Sequence, residues 1–395
     1  MTEIAELVRE GRLETVGMIL GDAPPPRRDG NVQRIVLPVR DHTPAPLAPG
    51  IYFGLSEDEY HAQPAGSTSG IKNAHCSPID FYVNSWLKPV SEDDADEKEK
   101  IAFTVGKAYH KRILEGRGAF YAVYAAQVDP ADHPDALRTV AHLTMWLDEN
   151  EIVYKKSAAK PALIQHVLDA DPLTEIWDDV VSKHGAANAG KTLLPSRTIV
   201  RLEIAAAMIE RHPDLKGYFH SGYPEVSLFW TCEKTGLPMK ARMDYLRIGR
   251  ISDLKTVSNP MGKRFEIACT SAIAGRGYYI QAAVYQEGLA AVKRLILAHG
   301  MGVVHGDCDH DWVAHLASSP VPRFTFVFMQ SGPAPVTLGI NFSNGLMAYG
   351  IGENIALDAK RTIASYCAEY GADWWIMATP TIELEDTALP AYIGE

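Results

Sequence analysis

The sequence predicts an α/β or α+β core in which helices cover a sheet built around a short β-meander. Three observations carry this reading. Residues 120–220 are largely helical in pattern; after His220 the pattern changes abruptly to three consecutive β-prone segments; and a long helix-compatible stretch with two further strands follows.

Taken in order, residues 1–49 read as a flexible, proline-rich appendage, with Asp22-APPPRRDG and Thr43-PAPLAPG unsuited to regular structure. Folded material is expected to begin near Gly50 and to run to residue 395 as one domain. Its helical part spans about 50–220, its β-meander and following helix about 221–299, and its C-terminal strands and helix about 320–395. Ser56 and Glu59 have capping-box spacing, Ser69 can start a short helix, and Ser77-Pro78 reads as an N-cap with proline at the first helical position. Ser91-EDDADEKE is a solvated acidic loop, and Lys100 to Glu115 is a helix with Ile101, Val105, Ala108 and Ile113 on one side. The helical pattern of 120–220 is interrupted at Asp171-Pro172 and near Gly185. The meander consists of Pro224-EVSLFW, Lys240-ARMDYLRI and Ile251-SDLKTVS, the last two joined as a hairpin through Gly249-Arg250. One helix over Ser271–His299, strands Arg323-FTFVFMQ and Pro335-VTLGINF, and a helix from Asn344 to Tyr370 complete the reading.

Composition narrows the function. A 395-residue chain with 46% hydrophobic residues supports a sizeable core, which excludes a disordered or fibrous protein. No apolar run approaches the ~20 residues needed to span a bilayer, so no membrane partner is expected. The 5 cysteines are scattered, without a C-x-x-C pair or a disulfide framework, which favours a reducing cytoplasm. A net charge of −11 argues against a nucleic-acid coat protein. Between Lys234 and Arg276, however, nine Lys/Arg face only three acids, Asp244, Asp253 and Glu266. The basic part of an acidic protein suits a polyanionic substrate held in one place.

Within that segment Glu225, Asp244 and Asp253-Leu254-Lys255 each interrupt a β-prone pattern. An acid facing a core is costly unless paired or metal-bound, and three acids on adjacent strands repel one another. Oxygen donors of this kind suit Mg²⁺, with Mn²⁺ as a substitute, and the Leu254 carbonyl could add a further donor. Strand alternation puts Asp253 and Lys255 on one face, where an ammonium can orient water or neutralise charge on a phosphate. The competing interpretation of a lone D-L-K is a surface ion pair or an exposed sheet edge. Two helices add to the set. In Phe103-TVGKAYH, Gly106 and His110 are four apart on one face; a packing glycine and a satisfied histidine are the alternative. In Tyr278-YIQAAVYQ, Gln281 and Tyr285 share a face, with Arg276 as a phosphate contact nearby; an ordinary amphipathic helix is the alternative. His305-GDCDHD offers zinc-type ligands without paired spacings and reads as a solvated loop.

G-x-x-x-H, an upstream Glu, Asp, D-x-K and Q-x-x-x-Y, in this order, resemble the PD-(D/E)xK nuclease superfamily, and most nearly its RecE-like, exonuclease-VIII-type branch of phages and prophages. Gly50-IYFGLSEDEYH, Ser67-TSGIKNAHCSPIDFY and Phe103-TVGKAYHKRILEG support the likeness, which covers about residues 50–290. It implies a restriction-endonuclease-like core: a central mixed sheet flanked by helices. His110, Glu225, Asp244 and Asp253 then match metal-site positions, Lys255 the catalytic lysine, and Gln281 and Tyr285 the helix that contacts DNA near the scissile phosphate. Met243 stands where the superfamily's name has proline, and the four-cysteine iron–sulfur clamp of some relatives is missing, so no cluster is expected. The implied activity is a Mg²⁺-dependent 5′-to-3′ exonuclease on double-stranded DNA ends. It would feed a single-strand annealing recombinase in phage recombination, as a homo-oligomer in the cytoplasm of a bacterial host. The alternatives are a structure-selective endonuclease using the same site and a non-catalytic DNA-binding or assembly protein.

Overall fold

In a computed structural model the described residues are 35–40, 43–88, 97–332, 335–377 and 383. Most of the proline-rich appendage (1–34) and most of the acidic loop (89–96) lie outside them. In chain order the elements are β1 (Gly50–Tyr52), α1 (Glu57–Ala62), α2 (Thr68–Cys76), α3 (Pro78–Val83), α4 (Glu97–Leu114), α5 (Gly116–Val123) and β2 (Tyr124–Ala126). Then come α6 (Val140–Glu149), α7 (Lys160–Ala170), α8 (Trp177–Ala187), β3 (Thr192–Leu194) and α9 (Ser196–Arg211). The meander is β4 (Gly222–Thr231), β5 (Pro238–Arg247) and β6 (Arg250–Ser258), followed by α10 (Phe265–Gly275) and α11 (Tyr278–His299). β7 (Val304–His305), α12 (His310–Ser318), β8 (Arg323–Ser331), β9 (Thr337–Phe342) and α13 (Met347–Tyr370) close the chain.

Seven strands form one mixed sheet in the order β7-β1-β4-β5-β6-β8-β9. The meander pairs antiparallel throughout, β6 and β8 pair in parallel, and β9 returns antiparallel to β8. Helices cover both faces, so the parallel β6–β8 pair is buried on both sides. On one side α2, α3, α11, α12 and α13 pack against Val226, Leu228, Trp230, Met239, Ala241, Ile251 and the Phe324, Phe326, Phe328 row. On the other, α4, α5 and α9 pack against Tyr245, Leu254, Val327 and Met329. Each buried phenylalanine of that row is worth about 1.5–3 kcal/mol of apolar burial. α11 lies so close to β4 that a Cβ at Gly288 would meet the Trp230 ring at 2.7 Å. Among the described residues no helix is long and apolar enough to cross a membrane.

The local signals act as expected at α1, where Ser56 and Glu59 form a capping box, and at α3, where Ser77 caps and Pro78 leads. Elsewhere the structure differs. α2 starts at Thr68 with Ser67 as its cap, two residues earlier than Ser69 would set it. The expected single helix over 271–299 is two, broken at Arg276-Gly277, where Gly277 takes φ +60°, a conformation that glycine adopts without a Cβ penalty. The helical stretch 120–220 contains two three-residue strands, β2 and β3, paired in parallel around α6–α8, which enclose a small core of their own. The described part of residues 35–49 is packed rather than appended. Leu37 is buried, Trp86 Nε1 donates to Pro38 O at 2.9 Å, and Arg40 donates to Leu87 O, Tyr82 Oη and Ala372 O.

Candidate active site

The acids meet where the meander loses its regularity. β4 and β5 pair at Pro224↔Tyr245 and Val226↔Met243, so Glu225 and Asp244 stand opposite each other between two ladder pairs. At that point both strands change face. Val226 and Met243 look into the core under α11, and so do Tyr223 and Leu246, whereas Tyr245 joins the core on the other side. A strand alternates strictly unless its backbone is distorted, and the distortion here is Glu225 at φ +51°. The β5–β6 ladder runs only from Arg247↔Arg250 to Tyr245↔Ser252. One step further the same register sets Asp244 opposite Asp253, and there the Leu254 N–H is taken not by a carbonyl but by Asp244 Oδ2, at 2.7 Å.

Each acid has a cationic neighbour. Lys255 Nζ lies 2.5 Å from Asp253 Oδ2, and Gln281 Nε2 donates to Asp253 Oδ1 at 2.7 Å. Arg242 Nε donates to Glu225 Oε2 at 2.7 Å. His110, reaching down from α4, stands between two acids, with Nδ1 3.6 Å from Glu225 Oε1 and Nε2 3.9 Å from Asp244 Oδ2. Asp253 is fully buried. Burial, and then the negative charge of Asp253, push the Asp244 carboxyl up to about 7. Burial acts against the charge of Lys255, but Asp253 and Asp244 outweigh it and hold the ammonium's proton more tightly than usual. Burial likewise opposes the charged form of His110, and Asp244 and Glu225 overcome it, so its pKa is raised. Glu225 is desolvated too, yet His110 and Arg242 bring its pKa below the ordinary value.

Asp244, Glu225 and His110 line a cleft of about 1370 Å³, whose walls also carry Lys107, Lys111 and Arg242. Gly106 lines it as well, and a Cβ there would meet nothing within 4 Å, so this glycine is not a helix-packing contact. Among the described residues no three His, Cys, Asp or Glu side chains close into a ready-made metal cage. The donor set nonetheless fits a hard divalent cation. Two facing carboxylates in a desolvated site repel, and Asp253 Oδ2 is buried with the Lys255 ammonium 2.5 Å away to balance its charge. Asp244 and Asp253 would hold the ion, with His110 and Glu225 beside them.

The fold thus brings together His110, Glu225, Asp244, Asp253, Lys255 and Gln281. Tyr285, also on α11, is nearly buried at the cleft wall, and its hydroxyl is kept protonated by burial and then by Asp253 and Asp244. Gln281, expected as a DNA contact, spends its amide N–H on Asp253. Leu254 enters the site through its N–H, while its side chain belongs to the core on the α4 and α9 side. Arg276 is not brought in: it stands at the break between α10 and α11, its carbonyl accepting from Lys72 Nζ at 2.8 Å, and it does not line the cleft.

Three cations were not singled out from the sequence. Lys72 on α2 and Lys255 lie over the same Tyr278 ring, at 5.3 and 5.1 Å, and burial followed by Lys255 lowers the Lys72 pKa to about 8. Lys240 is buried and donates to the carbonyls of Tyr60, His61 and Gln63, three acceptors matched to the three donors of an ammonium. Arg242 bridges Glu225 to Leu55 O. The available signal was their i, i+2 spacing on β5 (240 and 242), which places two cations on one side of a strand next to Asp244.

The expected solvated loop holds for residues 306–309, which join two regular elements at the ends of the His305–Asp311 run. His305 lies in β7, paired with β1 and stacked on Tyr52 at 4.2 Å between centroids, and Asp309 caps α12. His305 Nε2 is buried without a hydrogen bond, but no ligand set converges on it among the described residues.

A family profile described as a PDDEXK-like domain of unknown function (DUF3799) matches residues 85–296, just over half of the chain, including every acid of the site and Lys255. No curated protein matches. Among solved structures, one from Eubacterium rectale, described as a candidate exonuclease, is 15% identical, with a TM-score of 0.38 over 79% of this chain and 88% of that one.

Proposed function

The chain belongs to the PDDEXK-like domain family DUF3799, and from that premise we propose that it is a metal-dependent nuclease that hydrolyses DNA phosphodiester bonds. The observation that carries the reading is the end of the β5–β6 ladder, where Asp244 and Asp253 face each other beside Lys255 and Asp244 lines the cleft. A bound divalent cation, Mg²⁺ or Mn²⁺, supplies charge that polarises a phosphate and acidifies water. The chain's own residues do the rest. Gln281 fixes the rotamer of Asp253, and the Leu254 N–H fixes that of Asp244. Lys255, held beside Asp253, orients water and neutralises charge growing on the phosphate. Lys107 and Lys111 on the cleft wall hold the DNA backbone without reading bases.

The finer reading is a 5′-to-3′ exonuclease on duplex ends, working in phage recombination as a homo-oligomer that hands single strands to an annealing recombinase. It rests on the ordered motif set from His110 to Tyr285. The test is digestion of linear and covalently closed duplex DNA with Mg²⁺, Mn²⁺ or chelator, the linear substrate labelled at either end. Metal-dependent loss of linear DNA with early release of the 5′ label is expected. Cutting of closed circles would replace the exonuclease with an endonuclease, and no cleavage of any substrate with metal would overturn the enzymatic reading in favour of a binding or assembly protein.

A further inference from the structure

Resting on that nuclease reading, we propose that Arg242 is a positioning residue that presents Glu225 to the metal site, and that it does so by tying Glu225 to the α1 segment that walls the cleft. Glu225 has three reasons to leave its place. Its backbone is held at φ +51°, a left-handed conformation that strains a residue bearing a Cβ. Its carboxylate is partly desolvated, and the register sets it directly opposite Asp244. Something must hold it, and Arg242 makes the contact best suited to do so.

Arg242 is itself immobilised. While Nε donates to Glu225 Oε2 at 2.7 Å, Nη1 donates to Leu55 O at 2.8 Å and reaches Ser227 Oγ, its cross-strand neighbour, at 3.3 Å. Two residues earlier on β5, Lys240 binds the carbonyls of Tyr60, His61 and Gln63. The two cations therefore grip both ends of α1, Arg242 the chain entering it and Lys240 the chain leaving it. With Oε2 taken by Arg242, Glu225 keeps Oε1 on the side of His110, 3.6 Å away, facing the cleft. A planar guanidinium can span a carboxylate and a carbonyl in one rigid plane; a lysine ammonium on a flexible stem cannot reproduce that fork.

The test measures Mn²⁺ binding to the full-length protein without DNA, by calorimetry and by the metal-induced rise in melting temperature, alongside DNA affinity in Ca²⁺. Arg242→Met and Arg242→Lys should each weaken Mn²⁺ binding by roughly tenfold to a hundredfold, as loss of an outer-shell partner does, with DNA affinity changed by less than about threefold. In the Glu225→Gln background the same Arg242 substitutions should add nothing further. Mn²⁺ affinity at the wild-type level in Arg242→Lys, or an undiminished further loss in the Glu225→Gln background, would overturn the proposal, as would a loss confined to DNA affinity, which would make Arg242 a phosphate contact. Should Arg242→Met fail to fold, Arg242→Lys and the Glu225→Gln cycle still decide. A wild-type protein that binds no Mn²⁺ at all would defeat the nuclease reading instead.

Discussion

Two regions of this chain carry similar ligand-type side chains and come to different ends. At the end of the β5–β6 ladder, Asp244 and Asp253 are desolvated, face each other and are partnered by charges. In His305–Asp311, a histidine, a cysteine and four acidic or imidazole neighbours sit just as close in sequence, but each of those with a described partner is used by the fold. Asp309 Oδ1 accepts from the Asp311 and Trp312 N–H groups, and its own N–H donates to Tyr223 Oη. His305 is stacked on Tyr52, and burial, followed by Asp307 and Asp309, raises the Cys308 pKa and disfavours the thiolate that a metal would need. The difference lies in what the backbone leaves undone. A ladder that stops pairing inside a sheet exposes polar groups to one another without water, whereas a helix start absorbs acids as caps.

The sharpest way to break this comparison is to remove one charge at the ladder's end. Asp253→Asn keeps an acceptor for Gln281 and changes little else but the charge. Losing metal-centred stabilisation worth several kcal/mol, at about 1.4 kcal/mol per factor of ten, should lower turnover on linear duplex DNA on the order of a thousandfold or more. Lys255→Met should follow at about a hundredfold, the loss typical of a deleted transition-state donor. Steady-state assays at saturating Mg²⁺ check both. Either variant turning over at near wild-type rate would reduce the ladder's end to another structural acid cluster.

Much of this arrangement was legible in the sequence because it depends on alternation and on spacing. The three meander strands, the Ser56 and Ser77 caps and the D-x-K pair follow from periods of two and three to four residues. What was not legible arises where short segments or long-range contacts decide. β1 and β7 are three and two residues long, too short to show alternation; β1 exists because β4 offers it an edge, and β7 because β1 then offers one in turn. Gly277 looks like any glycine in a helical run until the chain must turn between α10 and α11. Arg242 and Lys240 registered only as charge, since nothing local says that their acceptors are carbonyls nearly two hundred residues upstream. The change of face at Glu225 and Asp244 was equally hidden: both residues break the apolar pattern, but only the pairing register shows that they break it together.

Titration should sharpen the contrast with a moderate effect. Asp244 has its folded pKa raised to about 7 from an ordinary 3.8, so the neutral acid is the form the fold prefers. The sign follows: in chelator, this group costs nothing below about pH 4, and its cost grows through the interval and is complete above about pH 7. His110, whose folded pKa is also raised, stabilises the fold while protonated and loses that contribution as pH rises through its folded value, adding to the same trend. Glu225 works oppositely, but its depressed pKa confines its effect to pH below its ordinary 4.5. Between pH 5 and 7.5 the melting temperature of the metal-free protein should therefore fall, and Asp244→Asn should flatten the slope. A flat wild-type profile would mean that Asp244 is neither desolvated nor opposed by the charge of Asp253.

The smallest effect is expected from the other region, and it separates structural acids from chemical ones. Asp309→Ala removes a cap from α12 and leaves the Asp311 and Trp312 N–H groups without their side-chain acceptor. Cap losses of this kind cost about 0.5–2 kcal/mol. That cost should appear in denaturant unfolding as a lower midpoint with an unchanged slope. Because α12 packs on the sheet through Val313, Leu316 and Ala317, away from the cleft, nuclease turnover and Mn²⁺ affinity should stay within about twofold of wild type. The variant thus reverses the signature of Asp253→Asn, which should lose turnover without a comparable loss of stability. If Asp309→Ala instead lost Mn²⁺ affinity while keeping its unfolding midpoint, the His305–Asp311 segment would be holding metal, and the distinction between the two acid-bearing regions would fall at its weaker side.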